Sequence, residues 1–203
     1  MNILVLGAAG KTGREVVAHA LAEGHTVTAF VRNPEKIERN DVTVAVGDAR
    51  NAADLRRALR GQDAVISTLG TGLNGRQKLI ESSTKALLDA MPNAGVDRLV
   101  MLSTFAASPT YRATGVMRLA SMAMKGIVAD KTSGETLLKH SDLDWTIVYA
   151  TRLTNELQGS GYRTLEGTLT DIGTISRADV ADALLSALSD DASRRHSRVV
   201  TSL

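Results

Sequence analysis

The chain has 203 residues, 43% of them hydrophobic, 23% charged and 3% aromatic, with a formal net charge of +2 and no cysteine. That length suits one domain with a buried core, and near-balanced charge with few aromatic rings argues against a nucleic-acid partner, which wants a strong positive field and stacking surfaces. Disulfides, thiolate catalysis and cysteine–zinc sites are excluded, and the apolar run at residues 2–6 is too short for a signal peptide or a membrane span, so a soluble cytoplasmic protein is expected.

Strand and helix patterns alternate along the chain. Asn2–Leu6 is predicted as a strand, Gly13–Glu23 as a helix, Thr26–Val31 and Thr43–Val46 as strands and Ala52–Arg60 as a helix. Ala64–Thr68 (strand), Gln77–Ala94 (helix), Arg98–Ser103 (strand), Lys131–His140 (helix) and Thr146–Tyr149 (strand) follow, and Asp179–Leu188 (helix) and Ser197–Leu203 (strand) end the chain. Several strands are near-continuous apolar runs, as expected when both faces of a sheet are covered. The repeated strand–helix–strand order predicts an α/β fold: one doubly wound parallel sheet with right-handed crossovers and helices on both faces. A single domain over 1–203 is expected, with a small substrate-side region around 105–130 and 152–175. Within it, Thr110–Ala129 carries Met117, Met122 and Met124 at near-helical spacing, read as core or interface packing, with a lid or substrate-side helix as the alternative. Leu157–Thr174 is polar and glycine-containing and is read as a short hairpin over the site or a loop.

The densest signal is Gly7-Ala8-Ala9-Gly10-Lys11-Thr12-Gly13, between the first strand and the first helix. Glycines spaced by three permit a tight turn, close backbone approach to a pyrophosphate, and close helix–strand packing at Gly13; the helix N-terminus then faces the anion. Lys11 and Thr12 stand where side chains would add phosphate contacts. A P-loop is excluded by spacing, because the glycine it needs five positions before Gly10 is Val5.

Strand ends supply the other candidates, since a doubly wound sheet binds ligand beyond its carboxyl edge. Arg32 ends the second strand where a dinucleotide site for NAD places an acid, so NADP is favoured. Asp48 and Ala49 follow the third strand; Asp48 is placed to accept from an adenine amino group, with backbone contacts from Ala49, or to cap the helix that starts near Asn51, and the two roles are not exclusive. Ser67-Thr68-Leu69-Gly70 closes the fourth strand, Ser103-Thr104 the fifth, and Tyr149-Ala150-Thr151-Arg152 the sixth. His19, His25, His140 and His196 are placed on helix or turn segments away from these ends, and no acid–histidine cluster indicates a metal.

Together with Val31-Arg32-Asn33-Pro34, Val46-Gly47-Asp48, Gly61-Gln62-Asp63-Ala64-Val65-Ile66 and Gly95-Val96-Asp97-Arg98-Leu99-Val100, the glycine loop resembles the atypical short-chain dehydrogenase/reductase superfamily. The resemblance is to its NAD(P)H-binding group of biliverdin-reductase-B-like and NmrA-like proteins, and it extends over nearly the whole chain. It implies a Rossmann-like domain with NADP (NADPH) across the strand ends: Gly7, Ala9, Gly10, Lys11, Thr12 and Gly13 at the pyrophosphate, Arg32 at the 2′-phosphate, and Asp48 and Ala49 at the adenine. Thr68, Leu69 and Gly70 would lie along the nicotinamide side, and Ser103 and Thr104 would line the catalytic crevice. Lys131 matches the lysine of the Tyr-x-x-x-Lys pair, but Ile127 stands where the tyrosine would be, and Tyr149-Ala150-Thr151-Arg152 lacks the Pro-Pro-His of biliverdin reductase B. Lys131 and Glu135 are otherwise read as an exposed helical ion pair.

Because nicotinamide carries the hydride chemistry, a reductase without the usual tyrosine remains feasible when the acceptor is a flavin, quinone or similar conjugated molecule. Ser103 would orient substrate, Lys131 would hold the ribose, and Tyr149 would line the crevice. The alternative is a non-catalytic NADP(H)-binding sensor of the NmrA-like type. Either is expected to bind a small molecule, no nucleic acid, no membrane and no metal, as a monomer or homodimer.

Overall fold

The computed structural model describes residues 1–70, 78–112, 124–156, 161–165 and 173–203. The strands among the described residues are β1 (Asn2–Leu6), β2 (Thr26–Val31), β3 (Thr43–Val46), β4 (Ala64–Ser67), β5 (Arg98–Thr104), β6 (Asp144–Ala150), β7 (Arg152–Thr154), β8 (Tyr162–Leu165), β9 (Thr174–Ser176) and β10 (His196–Ser202). The helices among the described residues are α1 (Lys11–Ala22), α2 (Ala52–Ala58), α3 (Leu79–Ala94), α4 (Lys125–Lys139) and α5 (Arg177–Ser189). Met124 immediately precedes α4, which starts earlier than its sequence pattern indicates, while Met117 and Met122 lie outside the described residues.

Eight strands form one sheet in the order β3-β2-β1-β4-β5-β6-β10-β8. All pairs in it are parallel except β8 on β10, which is antiparallel. The fold is therefore the doubly wound Rossmann-like sheet, with an antiparallel edge. β7 and β9 pair with each other in a separate two-stranded ribbon. The expectation of a hairpin within Leu157–Thr174 is corrected, because β8 pairs with β10 and β9 with β7; residues 157–160 and 166–172 lie outside the described residues. His196 opens β10 and is a strand residue, at the amino end of the sheet's strands rather than in a turn.

Alternate residues of each central strand face opposite cores. Ile3, Val5, Ala64, Ile66, Val100 and Val148 pack against α1 and α5; Leu4, Leu6, Val65, Leu99, Met101 and Ile147 pack against α2, α3 and α4. Two polar devices place the helices. Arg98 is buried at the amino end of β5 and donates to the carbonyls of Ala187 and Leu188, satisfying the last turn of α5. Asp130 of α4 accepts from the backbone N–H of Ile80 and of Glu81, each at 3.0 Å. It thus caps α3 from another helix, where Lys78 enters in a left-handed conformation and offers no cap of its own. Gly134 lets the same two helices meet: a Cβ there would lie 2.9 Å from Ile80 Cγ2 and 3.1 Å from the Ile80 carbonyl oxygen.

Candidate active site

The order of strands reverses between β1 and β4, and there the loops that leave them touch. Gly7 has φ +80°, and a Cβ on it would lie 2.8 Å from Thr68 Oγ1 and 3.2 Å from Leu69 N, so only glycine lets the loops approach. Thr68 Oγ1 donates to the Leu6 carbonyl at 2.9 Å, and Gly10 N–H donates to the Gly7 carbonyl at 2.9 Å. A Cβ on Gly13 would lie 2.8 Å from Gly7 C and 2.9 Å from Ala8 Cα, and closer still to Gly7 O, which sets how tightly α1 follows β1. The N-terminus of α1 carries no side-chain cap and no acid in its first turn, so its N–H groups and partial positive charge are open to an anion.

A cleft of about 550 Å³ runs from this turn along the carboxyl edge. It gathers Gly7, Ala9, Gly10, Arg32, Asp48, Ala49, Thr68, Leu69 and Gly70 of the sequence candidates. Thr12 and Gly13 are buried in the first turn of α1, Lys11 is exposed, and none of the three lines the cleft. The cleft also includes Phe30, Asn33, Lys36, Gly47 and Leu79, which sequence reasoning missed. The strand-end rule itself signals Asn33 and Gly47; Leu79 enters from α3 with no local signal.

Charge is distributed unevenly along the cleft. Arg32 and Lys36 are both exposed, and among the described residues neither has a carboxylate partner. Asp48 is instead clamped by Arg50, whose Nε donates at 3.0 Å and Nη2 at 2.5 Å. Those bonds, with a smaller pull from Arg32, hold the Asp48 carboxyl at about 2. Asp48 does not cap α2: Asn51 does, accepting from Ala53 N–H at 2.9 Å. The arrangement thus offers two free cations beside an already neutralised acid.

A second group of side chains lies at the carboxyl ends of β5 and β6. β4 and β5 run in register Ser67↔Met101, so Thr68–Gly70 and Ser103–Thr104 leave the same edge of the sheet. Ser103 and Tyr149 are register partners on the face covered by α4. Glu135 comes down between them: Ser103 Oγ–H donates to Oε1, and Tyr149 O–H donates to Oε2 at 2.7 Å. Lys139 Nζ donates to the Tyr149 hydroxyl at 3.3 Å, and Lys131 Nζ to the Leu102 carbonyl at 3.0 Å. Burial pushes the Glu135 carboxyl up and the Tyr149 phenol far up, and brings the Lys131 ammonium down to about 8.

Two expectations change here. Lys131 and Glu135 are not an exposed helical pair; they are 8% and 2% exposed and bond to different groups. The Tyr149 hydroxyl is turned toward Glu135 under α4 rather than into the cleft, so its part in any chemistry runs through that carboxyl. Thr104 ends β5 half-buried, beside Ser103. Sequence reasoning placed Glu135 only as the ion-pair partner of Lys131, and did not place Lys139.

A glycine turn leading into an uncapped helix at the reversal point of a doubly wound sheet defines a dinucleotide-binding class of α/β domain. The NAD(P)H-binding family model matches residues 7–191, and the chain belongs to that family. It is 32% identical over 153 residues to the photosystem II assembly factor Ycf39 of Cyanophora paradoxa, matching 72% of this chain but 44% of that protein. The chain therefore spans less than half the length of that curated relative. Among solved structures, it is similar to the anaerobilin reductase ChuY of Escherichia coli O157:H7, with a TM-score of 0.83 and 23% identity over 100% of this chain and 97% of that one. It is also similar to a short-chain dehydrogenase/reductase of Veillonella parvula in complex with NADP, with a TM-score of 0.77 and 23% identity over 98% and 94% of the two chains. Those structures share its fold. No helix among the described residues is long and apolar enough to cross a membrane.

Proposed function

We propose that this chain is an NADPH-dependent oxidoreductase that reduces a flavin, a quinone or a similar conjugated acceptor. The observation that carries the reading is the cleft itself: the open N-terminus of α1 and the Gly7–Gly10 turn at one place, and at another Arg32 and Lys36, which have no carboxylate partner among the described residues. The residues fit the group. Gly7, Ala9 and Gly10 would hold a pyrophosphate with backbone N–H groups, Arg32 and Lys36 would meet a 2′-phosphate, and Leu69 and Leu79 offer apolar surface. The clamp of Arg50 on Asp48 supports NADP over NAD, because it removes the repulsion that a free carboxylate would exert on a 2′-phosphate.

A bound reduced nicotinamide supplies a hydride, and the protein supplies position and polarity. Ser103, at the end of β5, would orient the acceptor, and Lys131 would hold the ribose side in place. A sequence without cysteine is compatible with the reducing, cytoplasmic setting this reading assumes. The partner on this reading is a small molecule.

A non-catalytic NADP(H) sensor is the second reading. It is favoured by the depth of Ser103 and Tyr149, 4% and 1% exposed, and by the role in assembly that the name of the Cyanophora relative carries. One experiment separates the two: titration with NADPH and NADH, followed by NADPH oxidation with a panel of flavins and quinones. Turnover supports the reductase; tight NADPH binding with no turnover on any acceptor overturns it in favour of the sensor. Arg32→Ala is expected to lower the preference for NADPH over NADH, and an unchanged ratio would refute the assignment of the 2′-phosphate.

A further inference from the structure

The Ser103–Glu135–Tyr149–Lys139 group puts a carboxyl among buried side chains. A carboxyl 2% exposed, with no ammonium or guanidinium bonded to it, is expensive to bury, and apolar packing of the same volume would serve stability as well or better. What the burial achieves is continuity. Lys139 is half-buried at the last turn of α4; its Nζ reaches the Tyr149 hydroxyl, that hydroxyl reaches one oxygen of Glu135, and the other oxygen meets Ser103 at the strand end. The hydrogen bonds run without a break from a half-buried lysine on α4 to the carboxyl end of β5.

We infer that these four residues form a proton-delivery chain running from the C-terminal turn of α4 to the acceptor at the carboxyl ends of the strands, with Glu135 as its buried proton store. The inference rests on the oxidoreductase reading and supplies the proton donor that Ile127 leaves missing. Reduction of a quinone takes up one hydride and one proton. The hydride is the nicotinamide's. With Glu135 protonated on Oε1, that oxygen donates to Ser103 Oγ and the Ser103 O–H turns from Glu135 to the acceptor; as the new O–H bond of the acceptor forms, the Ser103 O–H bond breaks, and Ser103 takes the proton of the Glu135 carboxyl. Glu135 takes the Tyr149 proton, Tyr149 takes one from the Lys139 ammonium, and water reprotonates Lys139. A concerted shift of this kind never leaves tyrosinate standing, which suits a phenol that burial has made so weak an acid. Ser103 is the catalytic residue; the other three act through it.

The groups acting on Glu135 are few. Lys131 and Lys139 on its own helix pull its carboxyl down, the Ser103 and Tyr149 hydroxyls do the same from β5 and β6, and burial outweighs them all. From α3 the neighbours at Gly134 are Ile80 and Thr84, which carry no charge. Glu135 therefore holds its proton to a higher pH than an ordinary glutamate, and delivery declines as pH rises through its raised value.

The test compares wild type with Glu135→Gln, which keeps the shape, and with Lys139→Met, on the half-buried end of the chain. NADPH affinity is expected to be the same in all three. With a quinone acceptor, Glu135→Gln is expected to lose about 100-fold in kcat, together with the solvent deuterium isotope effect and the decline at high pH; Lys139→Met is expected to slow turnover less. Infrared spectra of the unliganded protein are expected to show a protonated-carboxyl carbonyl band that Glu135→Gln removes. Turnover by wild type with kcat, isotope effect and pH profile unaltered in Glu135→Gln overturns the chain alone. No turnover by wild type on any acceptor overturns the oxidoreductase reading and the chain with it. An infrared spectrum without the carboxyl band refutes the proton store without reference to activity.

Discussion

Replacing Lys131 by Met removes a charge that the fold holds at a cost, and the cost has a pH signature. The side chain is 8% exposed and burial brings its ammonium from 10.5 to about 8, against the opposing influence of Glu135 and then Asp130. Below about pH 8 the folded and unfolded chains both carry the proton, and the folded chain bears the whole penalty. Between about 8 and 10.5 only the unfolded chain binds it, so stability rises with pH; above that window neither does. At about 1.4 kcal/mol per pH unit of separation, the penalty is about 3 kcal/mol at pH ~7, and most of it has gone by pH ~10. Urea unfolding of wild type and Lys131→Met at both pH values isolates it, because the difference between the two proteins cancels the titration of groups they share. The difference is expected to move by about 2–3 kcal/mol in favour of wild type on going to the higher pH. A difference that stays constant would mean that Lys131 titrates as an exposed lysine does, and the description of the buried network would fail with it.

Other substitutions probe the devices that build the site. Asp130→Ala strips the N–H groups of Ile80 and Glu81 of their acceptor and is expected to cost about 1–2 kcal/mol in urea unfolding; an unchanged midpoint would show that α3 does not need its cap. Gly134→Ala drives a methyl group to within 2.9 Å of Ile80 and Thr84 side-chain atoms. It is expected to lower stability by about 1–3 kcal/mol despite the better helix propensity of alanine, and a higher melting temperature would refute the close crossing. In Arg50→Ala the Asp48 carboxyl is expected to titrate upward from about 2 toward 3.8, followed by NMR of its side-chain carbonyl. A titration that stays put would assign the depression to Arg32 instead.

Much of the cofactor cleft was legible because its logic is local. A strand, a glycine turn and a helix are consecutive in the chain, and Gly7, Arg32, Asp48 and Thr68 each sit just beyond a strand whose apolar run marks its end. The parallel sheet follows from the same alternation, since each crossover helix must cover the strands it joins. The edge was not legible: β8 pairs with β10 across the length of α5, and nothing in Tyr162–Leu165 states which strand it will join or in which direction. Lys36 escaped notice because its turn folds back beside β3, a feature of path rather than composition.

By itself, then, the sequence determined the strand–helix alternation, the glycine turn and the cation at the end of β2, all of them consequences of period, backbone freedom and charge within a few residues. Tertiary structure alone decided the chemistry of the buried group at the carboxyl ends of β5 and β6. Lys131 and Glu135 are four apart on a helix, a spacing that on an exposed surface makes an ordinary ion pair. Here Gly134 and Asp130 press that helix onto α3 and the sheet, so the two side chains are taken out of water and separated, one to the Leu102 carbonyl and the other to Ser103 and Tyr149. Burial changes which protonation state each prefers, and burial is a property of contacts between residues far apart in the chain.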